Sequence, residues 1–276
     1  MQLMEAAFDA TRQPRSADGT SSSMAENGAS KVMVRIEGVS HQFADVRVLE
    51  NIDLSVGRGE FIALVGMSGC GKTTLLNLVA GLLQTDSGHI MVAGETICGP
   101  RPMTGYMFAR DALLPWRTAL ENVAYSLELR GVPKDERRKR ARAWLERLGL
   151  IAAADKYRSQ LSQGMRQRVA LGRTLAIEPD LLLLDEPFAA LDAQTKQELQ
   201  PKFLELWEGS STTVILVTHD IDEAISMADR VVVMSRNPGR IAEDVRVALP
   251  RPRNLADLVD DSTYRALRHR VRNALI

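Results

Sequence analysis

Residues Gly66-Met67-Ser68-Gly69-Cys70-Gly71-Lys72-Thr73 have the types and order of a phosphate cradle, G-x-x-x-x-G-K-[ST]. Glycines let backbone amides turn inward around the β- and γ-phosphates of a nucleotide. A helix opening at Lys72 adds its unpaired amides and positive dipole end. Lys72 brings a point charge, Thr73 a hydroxyl for Mg2+, and Thr74 a further phosphate contact. A plain glycine-rich turn does not require a lysine and a threonine to follow Gly71 in that order. Cys70 needs no chemistry of its own. Its thiol is expected beside the phosphates, where a bulky thiol reagent would hinder nucleotide binding.

Further along, Leu181-Leu182-Leu183-Leu184-Asp185-Glu186 ends an apolar run with two adjacent acids. Carboxylates at the margin of a core are costly unless a cation and a proton acceptor are needed there. Asp185 is therefore expected to hold Mg2+, directly or through water, and Glu186 to orient or deprotonate an attacking water. One acid alone would be an ordinary helix cap. His219 follows another apolar run, and its imidazole is expected to grip the γ-phosphate.

These residues need a scaffold that brings them to one edge. Phe61–Val65, Leu181–Leu184, Thr213–Val217 and Val231–Met234 read as buried strands of a parallel sheet. Helical patterns alternate with them: 72–80, 163–177, 193–207 and 221–227. In such sheets ligands bind outside the carboxyl ends of the strands, where Gly66, Asp185 and Thr218 fall. Lys134–Arg147 is a further amphipathic helix, with Ala141, Trp144, Leu145 and Leu148 on one stripe, inside a region of different character. Its basic cluster reads as a solvated face. A last helix is expected over 262–274.

With 276 residues, 45% of them hydrophobic and 25% charged, the chain has the composition of a globular protein. Lys plus Arg and Asp plus Glu both number 35, so no global basic field attracts nucleic acid, and none is expected as a partner. Cys70 and Cys98 are too few for a disulfide framework and point to a reducing, cytoplasmic compartment. No apolar run is long enough to span a bilayer. Residues 1–31 read as a flexible tail, within which Met24 is a candidate translation start.

Leu161-Ser162-Gln163-Gly164-Met165-Arg166-Gln167-Arg168 resembles the signature motif of ABC-transporter ATPases, with Gln163 where the family has Gly. The resemblance implies an α/β P-loop NTPase with a mixed, mostly parallel sheet, an N-terminal antiparallel β portion and a helical insertion. It divides the chain into an ATPase domain over 32–255, with the insertion over 112–175, and a C-terminal helical tail over 256–276. It also implies two ATP molecules held in a head-to-tail homodimer, Lys72 of one chain facing Ser162 and Gly164 of the other. Ala190-Leu191-Asp192 resembles the loop that crosses that interface, and Phe43 stands where the family stacks a ring on adenine.

Gly105–Thr118, Leu129–Pro133, Asn237–Ile241 and Leu249–Arg253 resemble the nitrate, sulfonate, taurine and bicarbonate importer ATPases. That likeness implies a subunit energising uptake of a small anion from the cytoplasmic face of the membrane. A permease subunit would dock at Leu113, Leu114 and Trp116, and a separate solute-binding protein would choose the solute. Ala109 stands where the family usually has a Gln that touches Mg2+ and the lytic water, so slower or less tightly coupled hydrolysis is expected. The alternative is an ATP-gated regulatory or interaction subunit with weak hydrolysis.

Overall fold

The computed structural model describes residues 31–189, 191–253 and 258–275. Residues 1–30 and Ala190, and with them the expectations for the tail, for Met24 and for the first residue of the interface loop, lie outside the described residues.

Apolar and β-branched residues form two sheets. The first is antiparallel, in the order β2-β1-β4-β5, from β1 (Val32–Phe43), β2 (Val46–Gly57), β4 (Ser87–Val92) and β5 (Glu95–Thr96). The second has the order β10-β9-β3-β8-β7-β6, from β3 (Phe61–Gly66), β6 (Thr104–Met107), β7 (Leu181–Asp185), β8 (Thr213–Thr218), β9 (Arg230–Met234) and β10 (Ile241–Arg246). Its strands run parallel except β10, which pairs antiparallel with β9.

The larger sheet divides the core into two layers. Side chains of a strand alternate between faces, so Phe61, Ala63 and Val65 of β3 enter one layer and Ile62 and Leu64 the other. β7 splits the same way, Leu182 and Leu184 against Leu181 and Leu183. Burial on both faces explains why these strands are continuous apolar runs rather than alternating ones. Helix α1 (Lys72–Val79) puts Leu75, Leu76, Leu78 and Val79 into the layer shared with the antiparallel sheet.

On the opposite layer lie α2 (Ala119–Leu129), α3 (Lys134–Arg147), α4 (Gln163–Leu175), α5 (Ala193–Glu208), α6 (Ile221–Met227) and α7 (Ser262–Ala274). Helix α2 begins at a capping box, Thr118 with Glu121 three residues on, where each side chain satisfies the other residue's backbone N–H. In α3 the stripe holds: Ala141, Leu145 and Leu148 are buried, with Trp144 packed beside them. Helix α4 stops at Leu175 rather than Ile177. Glu178 takes a left-handed φ of 51° and Pro179 follows, which halts the helix early. Among the described residues no helix is long and apolar enough to cross a membrane.

Candidate functional site

The parallel register aligns the carboxyl ends of β3, β8 and β7: Val65 lies beside Thr218, and Asp185 beside Val217. The loops leaving these strands therefore meet along one edge. After β3 the chain turns through Gly66–Gly71. A Cβ on Gly66 would stand 2.5 Å from Cys70 Sγ and 2.9 Å from the Met234 carbonyl oxygen, so only glycine fits. Gly69 and Gly71 take φ of +80° and +94°, values glycine adopts without steric cost. Met67, Ser68 and Gly69 face solvent.

Lys72 is buried, and its Nζ donates to the carbonyl oxygens of Gly66 at 2.7 Å and Met67 at 3.2 Å, which holds the ammonium over the loop. Thr73 Oγ1 donates to both carboxylate oxygens of Asp185 at 3.1 Å, and Thr74 next to it is half-buried. Burial pushes the Asp185 carboxyl above the ordinary aspartate value. The Thr73 bond opposes that rise, the Glu186 charge adds to it, and Lys72 opposes it. A hydroxyl and a carboxylate so placed are hard oxygen donors that fit Mg2+, which keeps water in its remaining positions.

Glu186 adopts φ of 47°, unusual for a residue with a Cβ and costing about 1–3 kcal/mol. Its N–H donates to the Val217 carbonyl oxygen at 2.9 Å, and its own carbonyl accepts from Ala189 N–H at 3.2 Å, which fixes the turn. The carboxylate Oε1 lies 3.3 Å from His219 Nδ1, beyond the end of β8. The tautomer with its proton on Nδ1 donates to that oxygen. Lys72, Thr73, Asp185, Glu186 and His219 thus share one edge.

A second group forms at the start of α4. Ser162 caps the helix, its Oγ accepting from Met165 N–H at 3.3 Å. A Cβ on Gly164 would meet Thr195 Cγ2 at 3.3 Å and Leu191 Cδ2 at 3.5 Å. Asp192, capping α5, accepts from the Thr195 N–H and hydroxyl, and these bonds hold its carboxyl below the usual range. Among the described residues no hydrogen bond joins this group to Lys72, Thr73 or Asp185. Phe43 ends β1 and is 49% exposed, its ring in edge contact with His41. It is not a core residue.

Two further contributors lie in segments, Gly105–Thr118 and Asn237–Ile241, to which the sequence assigned no part in the site. Tyr106 of β6 donates to Asn77 Oδ1 on α1 at 2.8 Å; burial and the Asp185 charge push its hydroxyl up. Gly239 lies against the cradle from behind, where a Cβ would stand 2.2 Å from the Cys70 carbonyl oxygen.

A family model for ABC transporter matches residues 49–189. The chain belongs to the ABC transporter family. The bicarbonate transport ATP-binding protein CmpD of Synechocystis sp. is 45% identical, over 85% of this chain and 86% of that one. The taurine import ATP-binding protein TauB of Shigella flexneri is 46% identical over 77% and 85%, and the nitrate transport protein NasD of Klebsiella oxytoca 40% over 87% and 95%. A post-hydrolysis dimer of the ATP-binding cassette MJ0796, bound to ADP and Pi, superposes with a TM-score of 0.71 at 29% identity, covering 79% of this chain and all of that one. The fold is the α/β P-loop ABC ATPase cassette, and the chain is an ATPase subunit.

Two expectations need correction. Cys70 is fully buried within the layer around α1, 3.8 Å from Lys72 Nζ, so a thiol reagent does not reach it from the phosphate side. Titration of the native ABC subunit is expected to modify exposed Cys98 alone, Cys70 reacting after unfolding; two fast thiols in native protein would contradict this burial. Leu113 is likewise buried rather than presented to a partner; Leu114 is half-buried, and Trp116 is 70% exposed. Ala109 and Gln163 are both exposed, Ala109 in the turn after β6 and Gln163 in the first turn of α4.

Beneath the His219 turn, buried Glu223 of α6 accepts from Gln200 Nε2 of α5 at 2.7 Å. Burial raises its carboxyl pKa and Asp220 adds to the rise, while Thr218, Lys196 and Gln200 oppose it. The folded chain therefore binds this proton more tightly than the unfolded one. The stability it contributes is full below the ordinary glutamate value of 4.5 and is lost as pH rises through the raised value. Glu223→Gln keeps the acceptor oxygen without the charge. Its Tm is expected to exceed wild type at pH 8, by roughly 2–4 °C per kcal/mol of charge burial removed, and to match it near pH 4. Equal thermal melts at both pH values would count against a buried charge at this position.

Proposed function

We propose that this ATPase subunit drives uptake of a small anion such as nitrate, a sulfonate or taurine. It acts as an ATP-bound homodimer, held at the cytoplasmic face of the membrane by permease subunits. The observation that carries its chemistry is the convergence of Lys72, the Thr73–Asp185 pair and the Glu186–His219 pair on one sheet edge.

Thr73 and Asp185 would hold Mg2+, which supplies positive charge against the phosphate oxygens. Lys72 and the amides of Gly66–Gly71 bind the β- and γ-phosphates, with Thr74 a further contact. Phe43 stacks on adenine, His219 grips the γ-phosphate, and Glu186 takes the proton of the attacking water. A second copy, head to tail, brings Ser162 and Gly164 over the phosphates, with Asp192 at the interface. The likeness to MJ0796, a dimer bound to ADP and Pi, supports that arrangement. In this scheme residues 32–255 form the ATPase domain, 112–175 its helical insertion and 256–276 a helical tail.

Exposed Trp116 lines a groove of about 360 Å3 with Leu120 and Ala124 of α2 and Lys134, Arg137 and Arg138 of α3, the surface for the permease. A solute-binding protein would act through that permease. The relatives that transport bicarbonate, taurine and nitrate support the solute class. The regulatory alternative is not favoured by these relatives. A strain lacking this subunit is expected to lose growth on one nitrogen or sulfur source among nitrate, taurine and alkanesulfonates. The wild-type chain restores growth and Glu186→Gln does not. Unaltered uptake of every such anion would overturn the importer reading.

A further inference from the structure

Helix α6 is seven residues long and begins immediately after the Asp220 that follows the histidine of the candidate site. Asp220, its cap, accepts from the N–H groups of Asp222 and Glu223 at 3.0 and 3.2 Å, and its own N–H donates to Thr218 Oγ1 at 3.1 Å. His219 sits between those two anchors, so its imidazole goes where the first turn of α6 goes. A helix this short has little stability of its own. Its placement must come from what packs on it.

The packing comes from the chain beyond β10. At the first turn, Asp222 Oδ1 accepts from Tyr264 Oη at 2.7 Å and from Arg268 Nε at 2.6 Å, both on α7. Tyr264 is buried, and burial together with Asp222 pushes its hydroxyl up, so it stays a donor. At the last turn the helix offers carbonyls with no intrahelical partner and has no basic residue of its own there. Arg253 Nη1 donates to the carbonyl oxygens of Ile225 at 3.0 Å and Ala228 at 2.6 Å, and Arg251 Nη2 to that of Met227 at 2.6 Å.

Arg253 is buried and, among the described residues, makes five hydrogen bonds, all to backbone carbonyls, the other three to Val247 and Leu249. A guanidinium in such surroundings is costly unless its donors are used, and here it complements the negative end of the helix dipole. Burial and the neighbouring Arg251 lower its pKa to about 10, so it remains charged at neutral pH. Arg251 also stacks over Trp207 of α5, 4.8 Å from the ring centroid.

We propose that the segments Val247–Arg253 and Leu258–Leu275 form a positioning strap for the ATPase site. It grips α6 at both ends, Tyr264 and Arg268 on the first turn and Arg251 and Arg253 on the last, and thereby holds His219 against Glu186. Arg251 and Arg253, the two arginines of the Leu249–Arg253 motif, have this task. The inference rests on the role proposed for His219 as the grip on the γ-phosphate.

The test is a double-mutant cycle on steady-state ATP hydrolysis, using the full chain. Tyr264→Phe with Arg268→Gln removes both bonds to Asp222 while keeping the side-chain bulk. It is expected to lower kcat by about three- to tenfold with KM for ATP within about twofold. Introduced into His219→Ala, the same pair is expected to cost less than about twofold more. Arg268→Lys, with Tyr264 retained, is expected to keep most of the activity. A loss of equal size in both backgrounds would mean a merely structural role, and unchanged kcat beside a lowered Tm would likewise overturn the strap. If His219→Ala itself turned over normally, it is the role of His219 that would fail.

Discussion

Glu186→Gln is expected to lower kcat for ATP by about 10²- to 10⁴-fold, the contribution typical of a positioned general base, with ATP affinity nearly unchanged. The amide keeps the length of the side chain, leaves an oxygen able to face His219 Nδ1, and can adopt the same φ of 47° held by the Val217 and Ala189 bonds. What it lacks is a lone pair basic enough to take a proton. Phosphate release in the steady state measures the loss, and size-exclusion chromatography with ATP is expected to reveal an accumulated dimer. Full turnover in this variant would remove Glu186 as the base.

Lys72→Ala acts one step earlier, on binding. The ammonium is buried and anchored by the Gly66 and Met67 carbonyls, so it is aimed before nucleotide arrives. Truncating one partner of a desolvated charge pair costs about 2–5 kcal/mol, which weakens ATP affinity by roughly 30- to several thousand-fold at 1.4 kcal/mol per tenfold. Calorimetric titration with ATP checks it, beside a thermal melt, because the same substitution frees two carbonyl oxygens of the loop. Undiminished affinity in a folded variant would leave the cradle without its cation.

Fixed local spacing made the cradle legible in advance. Gly66, Gly71, Lys72 and Thr73 act through one strand-to-helix turn, and order along the chain determines order in space. Asp185 was legible because an acid ending a run of four leucines has few other uses. The bounds of α3, α6 and α7 followed from apolar periodicity and caps. Contacts between distant segments left no such trace. The closeness of Glu186 to His219 depends on the register of β7 against β8. The burial of Cys70 and Leu113 depends on which loop closes over them. Arg253 has the same composition signal as any surface arginine, and only the fold reveals five hydrogen bonds to carbonyl oxygens around it. Composition gave no global basic field but said nothing of how α6 is held.

Gly239 carries a consequence for how this molecule can change. Its Cα leaves no room before the Cys70 carbonyl oxygen, while its N–H donates to the Val48 carbonyl oxygen at 2.8 Å and its own carbonyl oxygen accepts from Glu50 N–H at 3.0 Å, so it cannot retreat. Any larger residue there would press on the Gly66–Gly71 turn through Cys70, as a thumb presses the back of a spoon. The turn around Gly239 and the cradle are therefore bound to move together, and a side chain at this position is expected to distort the loop that carries Lys72.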